Sequence, residues 1–175
     1  MGIIKPHLPV KFIAAITYSP RAPLEEIFHR LETLFSQIDL RSEVYPFDFS
    51  EYYTDEMGTN LTKQMVAFRR LLPAESLPDF KMATNTIEAD YSLNHNRRVN
   101  IDPGYICAAK LVLATTKDYD HRVYLGRGIF GDVHLRYRKK QFRVNEWTYP
   151  DYRQDHILEF FETVRETYLK QLAEW

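Results

Sequence analysis

Residues 98–126, RVNIDPGYICAAKLVLATTKDYDHRVYLG, decide how the rest of the chain is read. A short apolar run ends at the corner Asp102-Pro103-Gly104, a second apolar run follows, and a charged cluster closes the piece. Aspartate suits the position that caps a helix, and proline the first helical position, where a backbone N–H has no partner to lose. On that reading 105–117 is a buried helix opened by the corner. The rival is a strand, because Leu111, Leu113 and Thr115 alternate with Val112, Ala114 and Thr116. Period alone does not separate the two in so short a run. The helix is the reading taken forward, with the strand left open.

Upstream, residues 1–9 form a short tail ended by Pro9, and Val10–Tyr18 is a mostly apolar run suited to a strand covered on both faces. Leu24, Ile27, Phe28, Leu31, Leu34 and Phe35 recur at helical spacing after Pro23, and 40–49 alternates weakly as a second strand. This predicts a βαβ unit or a split version of one. Leu61, Met65 and Phe68 suggest a short helix, and Ser76 is placed to cap another that carries Leu77, Phe80, Ala83 and Ile87. Downstream, 121–125 and 129–138 read as strands, Lys139-Lys140 as a turn, and 141–144 as the returning strand of an antiparallel hairpin. Ile157, Phe161, Val164, Tyr168 and Leu172 mark a terminal amphipathic helix. The expected fold is therefore α+β: a single domain over 1–175, with a mixed sheet, an N-terminal βαβ-like unit, a C-terminal hairpin and a terminal helix.

Composition narrows the function. The 175 residues are 45% hydrophobic with a formal net charge of −1, so no global field draws the protein to nucleic acid or membrane. Cys107 is the one cysteine, which excludes an internal disulfide and a cysteine-rich zinc site. No charged leader precedes an apolar stretch, and no apolar run is long enough for a bilayer, so a soluble cytoplasmic protein is expected. TTKDYD invites comparison with a guanine-recognition motif, yet the chain has no GxxxxGK[ST] loop, which excludes a P-loop GTPase.

Candidate chemistry collects at the corners. Lys117, Asp118, Asp120, His121 and Arg122 would offer cations for a phosphate and an imidazole for proton transfer, or form a self-paired solvated loop. The acidic stretch around Asp48, Glu51, Asp55 and Glu56, with Tyr52 and Tyr53, has oxygen ligands suited to Mg²⁺ or Ca²⁺, or is simply solvated. The hairpin 121–143 interleaves Arg122, Arg127, Arg136, Arg138, Lys139, Lys140 and Arg143 with Tyr124, Phe130, Tyr137 and Phe142. That composition suits single-stranded RNA or DNA, or an ordinary solvated strand face. The run WTYPDYR is either a pocket wall or a packed corner.

Taken together, PFDFSEYYTDEMG, VNIDPGYI, KLVLATTKDYDHRVYLGRGI and WTYPDYR, in this order, make the chain resemble the prokaryotic domain-of-unknown-function family 4416. The resemblance implies a small cytoplasmic prokaryotic protein. These motifs concentrate Asp, Asn, Lys, His, Tyr and Gly at predicted corners, which implies a shared pocket. The leading expectation is a pocket for a small phosphorylated or nucleotide-like ligand, with Mg²⁺ as the candidate cofactor. Lys110, Lys117, Arg122 and His121 would meet the anion, His121 being the proton-transfer candidate. Asn100, Asp102 and Asp118 would take ligand polar groups, Asp48 and Glu56 a metal, and Tyr52, Tyr53 and Trp147 would form walls. The alternatives are a nucleic-acid-binding module built on 121–143 and a non-catalytic module that docks a protein partner or a second copy.

Overall fold

The fold is described here from a computed structural model covering residues 2–94 and 96–175, with Glu51 described by its backbone only. The chain runs β1 (Val10–Tyr18), α1 (Leu24–Leu34), β2 (Ile38–Arg41), β3 (Tyr45–Pro46), α2 (Thr54–Met57), β4 (Thr62–Leu72), α3 (Leu77–Asp90) and β5 (Val99–Ile106). It continues through β6 (Lys110–Thr115), β7 (Arg122–Gly126), β8 (Ile129–Arg138), β9 (Gln141–Val144) and α4 (Asp155–Ala173). The strands form one sheet in the order β2-β4-β1-β5-β6-β8-β7, with β3 on β4 and β9 on β8.

The α+β class, the N-terminal strand–helix–strand, the C-terminal hairpin and the terminal helix all stand. The N-terminal unit takes its split form, with β4 between β1 and β2, and the sheet expected to be mixed is antiparallel in every ladder among the described residues. The order β2-β4-β1-β5, with α1 and α3 as the two crossovers, is the β-α-β-β-α-β arrangement of ferredoxin-like units. Strands β6, β8, β7 and β9 extend that sheet on the β5 side.

All nine residues of β1 are buried, because helices cover both faces of the central strands. Phe12, Ala14 and Ile16 pack with Ile27, Leu31 and Phe35 of the α1 side, where Phe35 stacks on Phe68 at 4.3 Å. Ile13 and Ala15 point the other way, toward Ile157, Phe161 and Val164 of α4. Fully buried Lys11 shares that second direction and donates to Asp39, the Phe68 carbonyl and Gln171, joining β1, β2, β4 and α4.

Two expected helices are strands. The segment holding Leu61, Met65 and Phe68 is β4, in which Met65, Val66, Ala67 and Phe68 are all fully buried. The segment 105–117 is the end of β5, a turn at 107–109, and β6. In both cases covered faces erase the alternation that marks a half-exposed strand, leaving an apolar run that mimics a buried helix. The strand expected over 40–49 shrinks to β2 and β3. Helix α3 forms as expected, but Ser76 makes no side-chain cap. No helix among the described residues is long and apolar enough to cross a membrane.

Candidate functional site

The site begins where the sheet comes apart. The β5–β6 ladder holds only from Gly104↔Leu113 to Ile106↔Leu111, although β5 extends back to Val99 and β6 onward to Thr115. Toward Val99, one edge of β5 therefore has no strand beside it. Helix α3 supplies partners instead: the Ile101 N–H donates to Glu88 Oε1 at 2.8 Å, and Lys81 Nζ donates to the Ile101 carbonyl at 3.0 Å. Lys81, Asn85 and Glu88 fall at i, i+4 and i+7, which aligns them on one helical stripe facing the split. Pro103 follows two residues after Ile101, so its nitrogen points to the same open edge, where it has no hydrogen to leave unpaired. Gly104 marks the point where the strands close: a Cβ there would stand 2.5 Å from the Val112 carbonyl oxygen.

A cleft of about 610 Å³ opens over this split. Its floor carries Lys63 of β4 and Asn100 of β5, both paired with the buried Thr17 of β1 between them, with Asp102 one step further along. Thr17 Oγ1 is buried without a hydrogen-bond partner. One wall is aromatic, from Phe47, Phe49, Tyr52 and Tyr53, and Tyr149 stands on the far side with Asp151.

The charges are tightly paired. Lys63 Nζ lies 2.6 Å from Asp151 Oδ2, with both side chains almost fully buried. Lys81 Nζ lies 3.1 Å from Asp102 Oδ1, while Asn100 Nδ2 donates to Asp102 Oδ2 at 2.9 Å. Arg97 grips both oxygens of Glu56 at 2.6 and 2.7 Å and donates to Glu88 Oε2 at 2.6 Å. Burial alone would raise the Asp102 carboxyl, but Lys81 and Lys63 outweigh it and hold it below the usual carboxylate range. Burial wins at Glu88 and pushes it up despite Lys81. Burial also raises the Tyr53 phenol, reinforced by the Asp102 charge. The hydrogen bonds it donates to Glu56 raise the Arg97 pKa further, fixing it as a cation. Among the described residues, Lys117 is the one lining cation with no carboxylate partner; its Nζ donates to Tyr52 Oη at 2.8 Å and sits over that ring.

Behind Tyr149 lies a second buried network on β8. Asp132 and His134, two residues apart, share a face. The Tyr149 backbone N–H donates to His134 Nε2 at 3.0 Å, so the ring proton sits on Nδ1 and donates to Asp132 Oδ1 at 3.2 Å. Burial lowers the His134 pKa against the opposing pull of Asp132, and the geometry is that of a neutral imidazole. Arg122, also buried, donates to Asp132 Oδ2 at 3.2 Å and to Tyr149 Oη at 3.3 Å. Tyr149 is thus held at its backbone and its phenol by two groups anchored on one carboxylate.

Of the residues expected from sequence, Asn100, Asp102, Lys117, Tyr52 and Tyr53 line the cleft together. Arg122 is one layer behind, through Tyr149. Lys110 stands at the opposite end of β6, beside Arg136 of β8. His121 stacks on Trp147 at 4.7 Å, and neither lines the cleft. Asp118 and Asp48 are exposed outside it, and Glu56 is occupied by Arg97; the Glu51 side chain lies outside the described residues. No group of three His, Cys, Asp or Glu side chains suited to a metal converges among the described residues. The WTYPDYR run is both wall and packed corner: Tyr149 and Asp151 line the cleft, while Tyr152 is buried against His134 and Phe161.

Lys63, Lys81, Glu88 and Arg97 escaped sequence reading. The Lys81-Asn85-Glu88 spacing was the available signal, but a polar stripe on a helix ordinarily faces water. Lys63 had none, being assigned to a helix that is a strand.

These features define a single-domain α+β protein with an ion-paired cleft set into a split antiparallel sheet. Residues 8–168 match the family described as Domain of unknown function (DUF4416), and the chain belongs to that family. Neither a curated protein nor a solved structure matches it.

Proposed function

We propose that the cleft binds a small phosphorylated, nucleotide-like ligand. The observation that carries this reading is the opposition of an aromatic wall to a polar floor, with Lys117 at the exposed side lacking a carboxylate partner among the described residues. The volume suits such a molecule, since ligand pockets commonly span about 300–1,000 Å³. Tyr52, Tyr53 and Phe49 offer ring faces for a planar group. Asp102, held ionised yet 27% exposed at its side chain, accepts ligand hydroxyl or amino groups. Lys117 meets the phosphate. Lys63, Lys81 and Arg97 already face Asp151, Asp102, Glu88 and Glu56, so Lys117 is the single cation left to meet a ligand's negative charge. This favours a monophosphate over a triphosphate. The carboxylates are likewise engaged by Lys or Arg, so binding should not require Mg²⁺. A cytoplasmic setting suits such a ligand and the lone free thiol of Cys107.

The test is a thermal-shift and calorimetric titration with the common nucleosides, their mono- and triphosphates, and sugar phosphates, each with Mg²⁺ and with a chelator. A monophosphate should bind most tightly, and Lys117→Ala should weaken it by roughly tenfold at unchanged Tm, the scale of one charged hydrogen bond. Equal affinity in Lys117→Ala, or no binding by any compound, would refute the reading.

A further inference from the structure

At the end of β6 remote from the cleft, the sheet carries a row of like charges. Lys110 on β6 lies directly opposite Arg136 on β8, and Arg136 directly opposite Arg143 on β9. Arg138 stands two residues along β8, on the same face. Tyr137 and Phe142 take the other face, packed into the core beside α4. Like charges directly opposite in a ladder repel and destabilise the pair. Among the described residues, none of these four cations forms a salt bridge.

The turn that follows adds a second, independent cost. Lys139 and Lys140 are the two-residue loop between β8 and β9, and both have left-handed backbone, with φ of 51° and 62°. A turn with two left-handed central residues ordinarily carries Asn-Gly, because a Cβ is disfavoured there. Lysine at both positions worsens the turn and places beside the row two more cations that form no salt bridge among the described residues. The hairpin thus accepts repulsion and backbone strain together, and all six side chains involved are basic.

We propose that this hairpin face binds the phosphodiester backbone of single-stranded nucleic acid, independently of the cleft. Forked guanidinium groups match phosphate oxygens, and Arg136 and Arg138 lie about 7 Å apart along the strand at its ordinary rise. A lipid surface is the lesser match, since interfacial binders set exposed apolar side chains beside their cations. Of the described large hydrophobic residues of β8 and β9, Val144 alone is exposed, and it alternates to the face opposite Arg143.

The experiment is fluorescence anisotropy of labelled 20-mer uridine RNA and thymidine DNA against the full chain, from 50 to 300 mM salt. Phosphatidylserine vesicles and polyglutamate serve as the comparison arms. Affinity for the oligomers should fall with a log–log slope of roughly −3 to −4, as expected for about five neutralised phosphates. The variant Lys139→Asn/Lys140→Gly separates function from folding. It should melt about 3 °C or more higher, from relief of the turn, and bind the RNA at least several-fold more weakly. Arg136→Gln/Arg143→Gln should lose most of the binding with no loss of Tm. Oligomer binding that is absent at 50 mM salt, or unchanged in both variants, overturns the proposal. So does binding confined to vesicles or to polyglutamate.

Discussion

Replacing Gly104 with alanine probes the closure of β5 on β6. The added methyl carbon would lie 2.5 Å from the Val112 carbonyl oxygen and 2.7 Å from Leu113 Cδ2. An ordinary carbon–oxygen contact is about 3.3 Å or more, so something must move by roughly 0.8 Å. Leu113 can change rotamer, but the Val112 carbonyl belongs to a strand paired with β5 on one side and β8 on the other. Overpacking of this kind costs about 1–3 kcal/mol. Alanine returns about 0.4–1 kcal/mol by restricting the unfolded chain. The net loss is about 1–2 kcal/mol, or roughly 2–8 °C in Tm for a chain of this size. Urea unfolding should show a lower midpoint at unchanged slope, and amide exchange should quicken at Val112 and Leu113. A Gly104→Ala protein as stable as the wild type would refute the close approach, and with it the account of how the split is bounded.

Two further outcomes follow from the buried networks. Lys81→Met should lower stability by about 3 kcal/mol, because it strips the Ile101 carbonyl, Asp102 and Glu88 of a shared cation in a largely buried place; a urea-derived loss below about 1 kcal/mol would contradict that role. His134 has a lowered pKa in the fold, so the unfolded chain takes up the proton first as pH falls. Its contribution is complete above about pH 6.5 and is lost as pH falls toward the folded value, with a slope of at most about 1.4 kcal/mol per pH unit. Tm measured from pH 8 to 5 should therefore fall more steeply in the wild type than in His134→Gln, and parallel curves would assign the acid loss elsewhere.

The elements legible in the sequence were those with one face to water or with clear punctuation. Helices α1, α3 and α4 announce themselves through apolar spacing, and the β8–β9 hairpin through alternation around Lys139-Lys140. The strands β4 and β6 did not, because helices or neighbouring strands cover both their faces and the pattern collapses into an apolar run. The site divided along the same line. Asn100, Asp102, Lys117 and the tyrosines were legible as polar groups at corners. Lys63 and Lys81 looked like solvent-facing lysines because nothing local distinguishes a lysine that meets a carboxylate 88 residues away, as Lys63 meets Asp151. Asp132 and His134 were not singled out, since the alternation of a strand gives two faces without saying which is covered.

Asp102-Pro103-Gly104 shows how the candidate cleft was approached through an incorrect element. The three residues were read as the start of a helix, with Asp102 as its cap or as a partner for ligand polar groups. In the strand they occupy, each residue type still answers a local demand of the split. Gly104 is required where two backbones meet too closely for a side chain. Pro103 is tolerated because the edge it faces has no strand to receive an N–H. Asp102 projects to the α4 side at the level where β6 has left, so its carboxylate opens into the cleft and its charge is met by Lys81 from across the gap. Residue types that punctuate a helix also punctuate a sheet, since both need a place where regular hydrogen bonding stops. A corner of this composition therefore locates an interruption before it identifies the element interrupted, because the residue types answer the break in hydrogen bonding and not the helix or strand around it.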